Sequence, residues 1–152
     1  MATRSTIAIE LKDGTVKQVY CHWDGYLDYN GKILLNHYNT YTKAHDLIKK
    51  GSISSLRKEI GEKHDFDARY ADGTPEREWT TFYGRDRGEK GTRAKVFADF
   101  AAYEKDHQYE EYEYIFRNTG EWQVCAYGKG YVSLTDAIAQ EMLDNEMETS
   151  DD

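Results

Sequence analysis

Residues 21–26 read Cys-His-Trp-Asp-Gly-Tyr, placing a thiol, an imidazole, an indole and a carboxylate within one short stretch. A thiol beside an imidazole can form a nucleophile and its base, and His22 with Asp24 could serve as a general acid or base and its orienting group. Strand alternation works against the first of these, because it sends Cys21 and Trp23 to one face and His22 to the other. A Cys–His pair would need His37, His45, His64 or His107 to arrive from elsewhere in the chain. The plainer account puts Cys21 and Trp23 in the core, His22 against an aromatic neighbour and Asp24 at a turn, since structural uses of such residues outnumber catalytic ones. No catalytic residue is assigned, and His22, Trp23, Asp24 and Tyr26 stand as candidates for contact with a ligand or partner.

A second constellation begins at Trp79 and Tyr83 and continues through Arg85, Asp86, Arg87, Lys90 and Arg93, punctuated by Gly84, Gly88 and Gly91. Glycines let backbone N–H groups approach a phosphate, and arginines offer it charge-assisted hydrogen bonds. The spacing matches neither the P-loop nor the dinucleotide fingerprint. The alternative is a solvated turn in which Arg85, Asp86, Arg87 and Glu89 pair with one another or with the acidic C-terminal segment. The five histidines and two cysteines show none of the short spacings of zinc sites, so neither a metal nor another cofactor is expected. Glu111 and Glu113 alternate with Tyr112 and Tyr114, the pattern of an exposed acidic strand edge over a buried aromatic face.

The elements that must position these groups follow from hydrophobic periodicity. Residues 5–11 alternate as a half-buried strand, Asp13-Gly14 supplies a tight type I′ turn, and 15–23 return antiparallel, burying Val19, Cys21 and Trp23. Short helices follow over 30–38 and from Thr42 to a stop at Gly51, with further helical turns over 52–60. Residues 62–77 read as a polar surface connection, 78–83 as a strand and 84–92 as a basic loop. A helix over 93–104 places Val96, Phe97, Phe100 and Tyr103 in an apolar stripe. Strands 111–117 and 121–127 flank the turn Asn118-Thr119-Gly120, and a last helix starts at Ser133 or Thr135. The resulting class is α+β, a mainly antiparallel sheet of about five strands with helices packed on it.

At 152 residues with 39% hydrophobic and 14% aromatic content, the chain can bury one real core. The expected division is a single domain over 1–143 and an acidic tail without fixed structure over 144–152. Of the net charge of −8, most belongs to 136–152, which holds seven carboxylates and no Lys or Arg. The body is near neutral, and direct binding to DNA or RNA is not expected of it. No apolar run reaches the roughly 18–20 residues of a membrane span, and two widely separated cysteines fit a reducing cytoplasm, so a soluble cytoplasmic protein without membrane contact is expected.

Thr3-Arg4-Ser5-Thr6-Ile7, the Cys21–Tyr26 element and the run from Trp79 to Glu89 resemble a group of small proteins encoded by bacteriophages and prophages, over most of the chain up to about Tyr127. The resemblance implies a phage accessory protein acting in the host bacterial cytoplasm and carries no catalytic roles. In that setting the leading expectation is an interaction protein that binds and inhibits or redirects a host enzyme or antiviral-defence component, through residue types that dominate interfaces, such as Trp79, Tyr83, Arg85 and Arg87. The alternative is capture of a nucleotide or other phosphorylated small molecule, with the two constellations meeting in one pocket; a nucleotide-processing enzyme ranks third.

Overall fold

The alternation at 5–11 becomes strand β1 (Ser5–Glu10), and β2 (Val16–Cys21) returns antiparallel with Ile7 opposite Val19. The turn between them is wider than the type I′ turn expected. The Leu11 N–H donates to the Thr15 carbonyl at 2.7 Å, and of Asp13 and Gly14 only the glycine takes positive φ. The Asp13 carboxylate instead accepts the Thr15 N–H and hydroxyl at 3.0 and 2.7 Å, an Asx-type closure that stabilises the longer loop.

The computed structural model describes residues 2–106 and 110–150. After β2 come α1 (Lys32–His37), entered through a π-type turn at Leu27–Gly31, α2 (Tyr41–Ile48), β3 (Ile53–Ser55), a 3₁₀ turn at Pro75–Glu78, β4 (Thr81–Phe82), α3 (Tyr83–Arg87), β5 (Lys95–Phe97), α4 (Phe100–Lys105), β6 (Tyr112–Phe116), β7 (Trp122–Ala126), β8 (Tyr131–Ser133) and α5 (Leu134–Ser150). The α+β class stands, but the sheet has eight strands and is mixed. Its order is β4-β3-β2-β1-β6-β7-β8, with β5 beside β2; β1–β6 and β2–β3 are parallel and the other pairs antiparallel. The β1–β6 pairing joins distant parts of the chain and leaves no mark in local periodicity.

Both faces of the sheet are covered. Ile7, Ile9, Val19, Tyr114 and Trp122 meet Leu34, Leu47 and Leu134 of the helices on one side. Ala8, Val16 and Ile115 meet Phe97 and Tyr103 on the other. The central strand β6 therefore has no exposed acidic face: Glu113, expected at a solvated edge, is 4% exposed. Trp23, expected in the core, lies beyond the end of β2 and is 44% exposed.

Three segments differ from the periodicity reading because tertiary pairing overrides it. Within 52–60 the chain forms β3, which meets β2 only at Cys21, instead of helical turns. That leaves the first half of β2 free, and 95–97 pair there as β5, so Val96 is exposed and not part of a helical core stripe. The helix begins only at α4, where the Asp99 carboxylate accepts the Ala102 N–H at 2.8 Å. Strand 78–83 shrinks to β4, and the first part of the basic loop coils into α3, closed by Gly88 at φ 74°. The sequence reading also omitted β8. α5 continues through Ser150 into the acidic segment; Asp151 and Asp152, like His107, lie outside the described residues.

Candidate functional site

The glycine-rich loop and its arginines are committed to holding the fold. Arg85 donates to the Asp86 carboxylate from Nε and Nη2 at 2.9 and 3.2 Å, and to the carbonyls of Ile60, Gly61 and Thr80 at 2.9, 3.1 and 2.9 Å. Asp86, its side chain fully buried, also accepts the backbone N–H groups of His64 and Phe82. Arg87 bonds Glu89 at 2.9 Å and lies over the rings of Phe66 and Tyr83. A Cβ at Gly84 would sit 2.7 Å from Thr92 Oγ1, so this glycine serves a close approach within the protein. Lys90 and Arg93 are exposed. The pairing of these charges with one another is the plainer of the two accounts the sequence offered.

The 21–26 element forms its own cluster. His22 shares a 2.6 Å hydrogen bond between Nδ1 and the Tyr20 hydroxyl and meets Trp23 edge-on. Cys21 is fully buried, accepts Asn30 Nδ2 at 3.4 Å, and burial pushes its thiol up to about 12, which removes it as a nucleophile at neutral pH. Asp24 takes φ 56°, while Tyr26 is exposed near Tyr29. None of His22, Trp23, Asp24 and Tyr26 reaches the cleft described next, so the two sequence constellations do not converge there.

That cleft, of about 410 Å³, opens where the 61–79 loop folds back over the β3–β4 edge. Ser54, Ser55 and Thr81 come from the strands, and Arg57, Arg69, Arg77, His64, Tyr70 and Trp79 from the connection around them; Asp65 and Glu76 also line it. Of the sequence-predicted residues only Trp79 does so. Its indole meets the His64 ring edge-on at 5.7 Å and packs over Gly61, where a Cβ would fall 2.2 Å from Trp79 Cγ. Gly61 sits at φ +65°, a conformation that only glycine adopts without strain.

Arg57, Arg77 and His64 are held from behind. The Arg57 backbone donates its N–H to Thr80 Oγ1 at 2.9 Å, and its carbonyl accepts the Tyr38 hydroxyl at 2.7 Å. Burial pushes the Tyr38 phenol up to about 12 and keeps it a donor at neutral pH. The Arg57 side chain donates from Nη1 to the Arg77 carbonyl at 2.8 Å, while its Nε is buried without a hydrogen-bond partner. Arg77 is tied to Asp72 at 2.7 Å and to the Tyr70 carbonyl at 2.7 Å.

His64 Nδ1 lies 2.8 Å from the Glu62 carbonyl, which can only accept, so the neutral imidazole carries its proton on Nδ1. Nε2 lies 3.2 Å from Thr81 Oγ1, and the Asp86 carboxylate stands 3.7 Å from Nδ1. Among the described residues no cluster of three His, Cys, Asp or Glu is placed to hold a metal ion, and no helix is long and apolar enough to cross a membrane.

His64, Tyr70, Arg69 and Arg77 escape motif reading because they sit in a segment without periodicity, and Arg57 because it lies in 52–60, expected as helical turns. One signal was available: a connection this long without regular structure is uncommon in a compact domain and is more often functional when ordered. No protein-family model, curated protein or solved structure matches the chain.

Proposed function

We propose that the chain binds a phosphate-bearing small molecule of nucleotide type in the cleft between the 61–79 loop and the β3–β4 edge. The observation that carries this is the convergence of Arg57, Arg69 and Arg77 with Trp79 and Tyr70 around one cleft, in a chain whose net charge is −8. Guanidinium groups match phosphate oxygens in bidentate geometry, and aromatic faces stack on a base for about 1–3 kcal/mol. Three arginines line the cleft with Asp65 and Glu76, and Asp72 pairs with Arg77. In the phage setting implied by the resemblance, capture withholds the ligand from a host or defence component. Calorimetric titration with ADP, with chromatography of the recovered nucleotide, tests the reading. Saturable binding that falls about tenfold or more in Arg57→Ala/Arg69→Ala, but not in Lys90→Ala/Arg93→Ala, supports it. No saturable binding refutes it, and conversion of ADP would replace capture by turnover at Thr81 and His64.

A protein partner is the second reading, favoured by the exposure of Trp23, which meets His22 edge-on, and of Tyr26, which lies near Tyr29. Loss of a co-purifying host protein in Trp23→Ala/Tyr26→Ala, with ADP binding unchanged, would assign that role to Trp23 and Tyr26.

A further inference from the structure

The arginine-lined cleft adjoins a second one of about 400 Å³, and Arg57 and Arg77 line both. The second is walled by Tyr29, Ile33, Asn36 and His37, supplied by the Leu27–Gly31 turn and α1. Tyr29 is half-buried, and burial raises its phenol above the ordinary value, so it presents a neutral aromatic ring. Asn36 brings both a donor and an acceptor, the equipment for reading the edge of a base. Each cleft thus has an aromatic side and hydrogen-bonding groups of its own, with the two guanidinium groups at the junction.

The junction is built in advance. The Arg57 main chain is clamped by Thr80 and Tyr38, and Arg77 is fixed by Asp72 and the Tyr70 carbonyl. The Arg57 guanidinium donates from Nη1 to the Arg77 carbonyl, while its Nε is buried without a partner.

Building on the phosphate-ligand reading, we infer that the ligand is bipartite: two nucleosides joined by a phosphate bridge, one base beside Trp79, the other beside Tyr29, and the bridge against Arg57 and Arg77. The two clefts together are lined by five cations, Lys32, Arg57, Lys58, Arg69 and Arg77, against four carboxylates. With Asp72 paired to Arg77 the charges are near balance, which suits a bridge of low charge better than a free triphosphate.

The test compares ADP with diadenosine diphosphate, which carries the same pyrophosphate, a second adenosine and one negative charge fewer. Calorimetry is expected to show diadenosine diphosphate binding about tenfold or more tighter, the worth of one added stacked base. Tyr29→Ala should abolish that gain while leaving ADP affinity unchanged, and Trp79→Ala should weaken both ligands. Asn36→Trp, at an exposed position, should block the second cleft without disturbing the core and provides the same readout if Tyr29→Ala folds poorly. Equal affinities with ADP binding intact would overturn the bipartite ligand and leave the phosphate site standing. Failure of ADP to bind would overturn both.

Discussion

Replacing Asp86 by alanine tests whether the predicted ligand arginine, Arg85, is in truth the keystone behind the cleft. The fully buried carboxylate accepts from four donors: the N–H groups of His64 and Phe82 at 3.2 and 2.8 Å, and Arg85 Nε and Nη2 at 2.9 and 3.2 Å. Asp86→Ala leaves all four without that acceptor and the guanidinium without its counter-charge, a change that costs about 3–5 kcal/mol in buried pairs. Arg85 keeps the carbonyls of Ile60, Gly61 and Thr80 and is 16% exposed, so the lower end, about 3 kcal/mol, is expected. With an m-value of about 2 kcal/mol/M the urea midpoint should fall by about 1.5 M. Asp86→Asn, which retains one carbonyl acceptor, should lose roughly half as much. Arg85→Met/Asp86→Leu should cost less than the two single changes together, because it removes the charges as a pair. A midpoint within about 0.5 M of the parent for Asp86→Ala would refute the argument. Because Asp86 also holds the His64 backbone, ADP affinity should fall in the same variant even where it is fully folded.

Three further outcomes are expected. Gly61→Ala must accommodate a Cβ 2.2 Å from Trp79 Cγ and about 1–3 kcal/mol of backbone strain, so ADP binding should collapse while far-UV circular dichroism is unchanged; retained affinity would show that Trp79 does not form the site. Burial pushes Tyr38 and Tyr112 up to about 12 from an ordinary 10.0, so their contribution to stability is complete below about pH 10 and lost as pH rises towards 12. Tyrosinate absorbance should accordingly show a late phase that coincides with loss of near-UV circular dichroism, and titration of every tyrosine near 10 in the folded protein would contradict it. Cys21 and Cys125 are buried with thiols raised by burial, so a disulfide reagent should label them at neutral pH only at the rate of unfolding; prompt labelling of Cys21 would exclude its place in the core.

The part of the candidate site that was legible is the part tied to a strand. Trp79 stood out as a residue type that dominates interfaces, at the start of an expected strand, and it does line the cleft from the connection before β4. Arg85 stood out for its charge, yet charge alone does not say which way a guanidinium turns. Its direction depends on the carbonyls at positions 60, 61 and 80, which only the folded loop brings within reach. Arg57 stands in 52–60 and Arg69 and Arg77 in the aperiodic connection after it, so their convergence is a tertiary fact.

The sequence by itself determined what local physics can encode. The 5–10 strand and its return follow from alternation around a turn, the Gly51 and Gly120 stops from positive φ, and the β6–β7 hairpin from aromatic alternation about Asn118-Thr119-Gly120. The α+β class follows from that mixture of periods. Tertiary structure decided the parallel placement of β6 against β1, which closes a long loop, repays it only through non-local contacts, and turns Glu113 from a solvated edge into a buried face. It also decided that 53–55 and 95–97 become strands, because free edges of β2 and β4 offered backbone partners worth more than weak local helix preference. The cleft is a product of those same pairings, since β3 and β4 form the edge over which the 61–79 loop folds.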